Sequence, residues 1–230
     1  MIEENYRRVL AAIEAAKARR TAVSKEAAVK LIAVTKNHDV SSMRKAIDAG
    51  ATEVGENRIQ EAAAKYEALE RQVTWHLIGH LQTNKARQAV RYFDLVHSVD
   101  SLHLARALDK EAAKAGKVQD ILLQVNLARE ESKSGLFEEE LEPAFREIDG
   151  LEHLRIRGLM CMAPNYDNVE DCRPLFRRMH SIYLAMGEKS WQRAKVDYLS
   201  MGMTHDYEIA VEEGANIVRV GTAIFGPREY

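Results

Sequence analysis

Eight short runs rich in Val, Ile and Leu recur along the chain, each separated from the next by a stretch with apolar residues every three or four positions. The runs are LIAVTK (31–36), TEVGEN (52–57), TWHLIG (74–79), LVHSVD (95–100), DILLQVNL (120–127), RIRGLMCM (155–162), YLSMGM (198–203) and IVRVGTAI (217–224). They are too short for ordinary helices and mostly apolar rather than cleanly alternating, which is the pattern of parallel strands covered by helices. Between them lie SMRKAIDAG, NRIQEAAAKYEALERQ (57–72), NKARQAVRYF, SLHLARALDKEAAKAG, FEEELEPAFREIDG, DCRPLFRRMHSIYLAMGEK and HDYEIAVEEG, all on a helical period. Regular β–α alternation confines the chain to an α/β fold. Eight strands in 230 residues favour a closed (β/α)8 TIM barrel over an open doubly wound sheet.

Helix punctuation agrees with this reading. Gly50, Gly116, Gly150 and Gly214 each follow a helical run, where a left-handed residue closes the last turn. Ser41 and Ser101 stand at N-cap positions, and Pro143 and Pro174 either open their helices or kink them. AIDAGATEVG (46–55) and AVEEGANIVRVG (210–221) share a helix–Gly–Ala–strand–Gly layout, a short echo of repeated βα units. The first 20 residues read as a charged amphipathic helix before the first barrel strand, not as a signal peptide. With no Gly/Ser/Pro-rich linker, residues 1–230 are expected to form one domain. A formal net charge of −2 argues against a nucleic-acid surface, and no apolar run approaches the roughly 20 residues of a membrane span. Cys161 and Cys172 give neither a disulfide framework nor a zinc spacing, so a reducing cytoplasm is the expected compartment.

In a parallel barrel the chemistry gathers where the strands end, on the βα loops. The ends here are Lys36, Asn57, the Gly79–Lys85 stretch, Ser98 with Asp100, Asn126, Met160 to Met162, Ser200 to Met203, and Arg219 to Thr222. Lys36 follows five residues that read as core. It is either a lysine marking a strand exit or a Schiff-base former: a lysine amine is almost wholly protonated at pH 7 unless desolvation or like charge neutralises it, and a barrel mouth supplies part of that pressure. Such a lysine attacks a substrate carbonyl directly, as in aldolases, or holds the aldehyde of pyridoxal phosphate.

In IVRVGTAIFG (217–226), Gly221 and Thr222 close the last strand with a backbone free to approach a ligand and a hydroxyl beside it. They are either a late-strand phosphate site or a tight turn. Ser200, at the end of the preceding strand, offers a second hydroxyl. Arg219, two residues before Gly221, shares its face of the strand. A guanidinium opposite a pyridine nitrogen keeps its own proton and leaves the ring a poorer electron sink. His76 and His80 bracket a strand end rather than ride one helix face, which argues against zinc; the other six histidines read as surface or satisfied core. Cys161 reads as a small core residue, and the ESKSG turn (131–135) as either a mouth loop or a plain polar loop.

Taken together, LIAVTK, VGENRIQE, WHLIGHLQTNK, HSVDS, QVNLAREESKSGL, RGLMCMAP, LSMGMTHDYEIAV and VRVGTAIFG resemble the pyridoxal phosphate homeostasis protein family, also called the proline synthetase co-transcribed homologue family, from about residue 31 to 226. The resemblance implies one barrel like the N-terminal domain of bacterial alanine racemase, with no second domain. It implies pyridoxal 5′-phosphate bound as a Schiff base on Lys36, with Asn57 near the ring and Arg219 facing the pyridine nitrogen. Ser200, Gly221 and Thr222 match phosphate contacts, and Met201 lies in the matching strand-end motif, where it is expected to line the site. Thr204 and Val211 depart from the family's usual serine and isoleucine. The implied role is a monomeric carrier or regulator in vitamin B6 and amino-acid homeostasis, with pyridoxal phosphate-dependent apo-enzymes as recipients and no strong turnover. Two other classes stay open. An amino-acid racemase needs acid/base groups on both faces of the cofactor, and the resembling racemase takes its second from a domain expected to be missing here. A Schiff-base aldolase would use Lys36 without a cofactor.

Overall fold

The computed structural model describes residues 1–69 and 73–227. After α1 (Ile2–Ala18), strands and helices alternate: β1 (Lys30–Val34), α2 (Val40–Asp48), β2 (Glu53–Glu56), α3 (Ile59–Tyr66), β3 (Thr74–Leu77), α4 (Ala86–Tyr92), β4 (Leu95–Val99) and α5 (Leu102–Lys114). The second half continues with β5 (Gln119–Val125), α6 (Glu138–Asp149), β6 (Leu154–Cys161), α7 (Arg173–Gly187), β7 (Tyr198–Ser200), α8 (Tyr207–Glu212), β8 (Ile217–Val220) and α9 (Thr222–Phe225). Among the described residues the eight strands, all parallel, close in chain order into a barrel. Closure pairs β1 with β8, Ile32 opposite Arg219 and Ala33 opposite Val220. The open-sheet alternative is thereby excluded.

Every expected strand is present, but most end one to three residues earlier than their apolar runs. The last run differs most. Residues 222–224, read as strand, open α9 instead, because the chain turns at Gly221 (φ −115, ψ −77). Asp39 rather than Ser41 caps α2, its carboxylate accepting from Ser42 N–H at 2.8 Å. Ser101 does cap α5. Pro174 lies in the first turn of α7, whereas Pro143 sits inside α6. Gly50 and Gly214 are left-handed, and the alanine after each reaches back to a helix carbonyl (Ala46, Ala210) at 2.9 Å, so the sequence echo is a repeated helix stop. Gly150 is not left-handed; at φ −76 it simply extends the last turn of α6. Residues 70–72, the end of the helix expected over 57–72, lie outside the described residues.

Two apolar layers hold the barrel. Ile32, Val34, Leu95, Leu122, Met160 and Ile217 pack inside it, while Trp75, Phe93, Phe145 and Phe176 belong to the larger core between strands and helices. The N-terminal segment is tied to the last βα units. Asn5 donates to Ile224 O, and buried Arg20 donates to the carbonyls of Val211, Ala215, Ser24 and Ala27. A buried guanidinium is tolerated because its donors are matched.

Candidate functional site

At the C-terminal ends of the strands lies a cavity of about 280 Å³. Its wall is built from Val34 at the end of β1, Lys36 and His38 after it, Asn57 after β2, Ile78 after β3, Met162 after β6, Met203 to His205 after β7, and Arg219, Gly221 and Thr222 from the last unit. The volume is close to the lower bound of about 300 Å³ usual for small-molecule sites. A larger recess of about 780 Å³ lies near the starts of β3 and β4, among Tyr66, Trp75, Tyr92 and Lys117. Parallel barrels carry their chemistry at the opposite, C-terminal face. The smaller cavity also holds the lysine, the buried arginine and the glycine turn, and it is the candidate site.

Lys36 stands on a turn that its neighbours hold firmly. Asn37 is left-handed (φ 64), and its N–H donates to Glu61 Oε2 at 2.8 Å. Beneath the turn, Lys65 Nζ donates to Thr35 O at 2.8 Å and to Glu56 Oε1 at 2.7 Å, and Thr35 Oγ1 donates to the same carboxylate oxygen at 2.6 Å. Glu56 is fully buried, and burial raises its pKa against the pull of Lys65. Neither Glu56 nor Lys65 was singled out from sequence; one lies on a strand and the other on a helix nine positions later, with no local pattern joining them.

Arg219 is 3% exposed. Its Nη1 donates to Ser200 Oγ at 2.6 Å and its Nη2 to Cys161 O at 3.0 Å. Burial draws its pKa down, with Cys161 and Asp206 opposing; an arginine remains a cation and a pure donor. Gly221 leaves room where β1 and β8 meet at the cavity: a Cβ there would lie 3.3 Å from Val34 O and 3.4 Å from Val34 Cβ.

Of the sequence-derived residues, Lys36, Asn57, Arg219, Gly221 and Thr222 therefore share one wall. Ser200 and Met201 are not among the described residues lining it. Both are fully buried, Ser200 behind Arg219 and Met201 in the outer core. β7 ends at Ser200, and the left-handed Gly202 (φ 95) turns the chain so that Met203 is the next side chain at the cavity. The 131–135 turn is pinned through Asn126, which donates to Glu130 O and Lys133 O, and through Lys133, which donates to Ala163 O. His76 points into the barrel, whereas His80 faces Asp100 at 3.6 Å with most of its ring exposed. Among the described residues no group of three or more His, Cys, Asp or Glu is placed to hold a metal ion.

The family model described as alanine racemase, N-terminal domain, matches residues 2–229. The pyridoxal phosphate homeostasis protein of Aquifex aeolicus is 40% identical over 228 residues, 99% of this chain and 98% of that protein. The chain belongs to the pyridoxal phosphate homeostasis protein family. The Escherichia coli K12 member of the family is 35% identical over 207 residues, covering 88% of this chain and 87% of its own. A structure of the Synechococcus elongatus protein PipY with pyridoxal phosphate bound has a TM-score of 0.85 at 36% identity, covering 98% of this chain and 100% of that one. Alanine racemase of Clostridium difficile shares the fold alone, with a TM-score of 0.75 at 15% identity over 99% of this chain and 60% of its own. The barrel of the homeostasis protein family is thus the barrel described above.

Proposed function

We propose that the chain holds pyridoxal 5′-phosphate in the C-terminal cavity and acts in intracellular vitamin B6 and amino-acid homeostasis as a carrier or regulator without strong turnover. The observation that carries this reading is the meeting of Lys36, Arg219 and the Gly221–Thr222 turn in one cavity of about 280 Å³. The donor set fits the group. Lys36 offers the amine that would join the aldehyde, Thr222 and the open backbone at Gly221 would take the phosphate, Asn57 would lie near the ring, and Arg219 would face its nitrogen. Ser200 and Met201 would act from behind the wall, Ser200 by holding Arg219. When bound, the group supplies an electron sink. An arginine at the ring nitrogen keeps its own proton and weakens that sink, which favours holding over turning over. The names of the relatives support the same role. On this reading the recipients are pyridoxal phosphate-dependent apo-enzymes, the chain is a monomer, and its compartment is the cytoplasm. Among the described residues no helix is long and apolar enough to cross a membrane.

The test is an absorbance titration of the full chain with pyridoxal phosphate, paired with intact mass after borohydride reduction. One adduct mapping to Lys36, and none in Lys36→Ala with its barrel still folded by circular dichroism, is the expected result. Absence of both band and adduct in the parent chain overturns the reading, and an adduct that survives in Lys36→Ala overturns the assignment of the lysine.

A further inference from the structure

The centre of the barrel is not wholly apolar. Glu53, His76, His97, Ser200 and Arg219, each less than a tenth exposed, run through it as one hydrogen-bonded line. Arg219 Nη1 donates to Ser200 Oγ at 2.6 Å, Ser200 Oγ meets His97 Nδ1 at 2.9 Å, His97 Nε2 meets His76 Nδ1 at 2.9 Å, and His76 Nε2 meets Glu53 Oε2 at 2.7 Å. Glu53 Oε1 then accepts from Lys30 Nζ at 2.5 Å. Lys30 begins β1, its side chain 41% exposed at the far mouth of the barrel. The line therefore joins the cavity to the opposite end of the fold.

Donor and acceptor chemistry gives the line a direction. An ionised Glu53 only accepts, so His76 Nε2 carries the hydrogen. A neutral His76 then accepts at Nδ1 from His97 Nε2–H, and His97 accepts at Nδ1 from the Ser200 hydroxyl. That leaves a Ser200 lone pair for Arg219, and every group has its partner. Reversing the line would put two donors on Ser200 Oγ and leave its own hydrogen without an acceptor. Burial, with His76 and Arg219 nearby, holds the pKa of His97 well below the ordinary histidine value, in keeping with a neutral ring.

A barrel that needed only stability would fill these positions with branched apolar side chains, and buried polar pairs replaced by well-packed apolar ones are often no less stable. We propose that Glu53, His76 and His97 are positioning residues for Arg219, a one-way line of donors that fixes the guanidinium at the cavity. The part of this inference that concerns the ring nitrogen rests on the pyridoxal phosphate reading; the line itself does not.

Two measurements test it. In the full chain labelled with nitrogen-15 at histidine, long-range proton–nitrogen spectra report which ring nitrogen bears hydrogen, with His76→Asn and His97→Phe supplying the assignments. Hydrogen on Nε2 alone in both rings is expected; hydrogen on Nδ1 of His97 overturns the line. In the chain loaded with pyridoxal phosphate, the pH midpoint of the bound chromophore's absorption is then compared across variants. Ser200→Ala, His97→Phe and Glu53→Leu are each expected to shift it, by about one pH unit or a tenfold change in proton affinity, because the guanidinium is no longer fixed in one position at the cavity. The Ser200→Ala/His97→Phe double variant is expected to shift no further than the larger single one, and His97→Gln, which keeps a donor and an acceptor, to recover part of the loss. An unmoved midpoint with only a lowered melting temperature overturns the proposal. Absence of any chromophore in the parent chain removes the cofactor reading instead, and the histidine spectra still decide the line.

Discussion

Lys65→Met removes the cation paired with a fully buried carboxylate beneath the Lys36 turn. Lys65 Nζ stands 2.7 Å from Glu56 Oε1, and among the described residues Glu56 Oε2 has no hydrogen-bond partner. At that distance and an effective dielectric of about 20, the gross attraction is on the order of 6 kcal/mol. Much of it offsets desolvation, and breaking a buried pair from one side costs roughly 3–5 kcal/mol net. The double variant Glu56→Gln/Lys65→Met removes the stranded charge while keeping an acceptor for Thr35 Oγ1, and is expected to be more stable than Lys65→Met alone by about 1–2 kcal/mol. The difference must depend on pH. Burial raises the folded-state pKa of Glu56 above its ordinary 4.5, and losing Lys65 raises it further. A group with a raised folded pKa favours folding fully below its unfolded value, and that contribution is lost as pH rises through the folded one. The Lys65→Met penalty is therefore small near pH 4.5 and grows toward neutrality. Urea unfolding across that range, followed by tryptophan fluorescence, measures it; near neutral pH the melting temperature should fall by roughly 6–20 °C. A penalty that is flat with pH, or equal in the single and double variants, would refute the reasoning.

Two further predictions rest on packing and burial. Gly158→Ala would place a Cβ 1.8 Å from Tyr198 O at a position with φ +146, so backbone must move where β6 and β7 meet. A loss of about 3 kcal/mol or more is expected in thermal melts, and a melting temperature within a degree of the parent would contradict the close approach. Burial pushes the thiols of Cys161 and Cys172 up to about 12, so neither should react with a disulfide reagent at pH 8 in the folded chain, and both should after denaturation. Rapid labelling of either native thiol would count against their burial.

Much of the site was legible because strand ends in a parallel barrel define it. Lys36, Asn57, Arg219, Gly221 and Thr222 were found by asking which residues end strands, and all five stand on the cavity wall. Exact strand ends were not legible, since the loops that line the cavity carry Ile78, Met162 and Met203, the same residue types as the strands. Ser200 and Met201 read as wall residues because the turn at Gly202 leaves no mark on the apolar run. The histidine line left a trace that was passed over. His76 lies two residues before Ile78, and His97 two after Leu95, so period-2 geometry puts each on the inward face with an apolar barrel residue. Weighing His76 only as a zinc ligand beside His80, and His97 only as surface or satisfied core, missed the connection. The Glu56–Lys65 pair left no such trace, because only the folded β–α crossing brings the two together.

The pairing of β1 with β8 has a consequence for how the chain is made. Until Ile217–Val220 emerges, the outer edge of Lys30–Val34 has no neighbour on that side, and roughly 180 residues of synthesis, about ten to forty seconds at ordinary elongation rates, separate the two. Arg219, Gly221 and Thr222 arrive with that last strand. A nascent chain thus carries Lys36 early but cannot assemble the pocket around it until the ring closes, so under the proposed function cofactor uptake belongs to the finished protein and not to its intermediates.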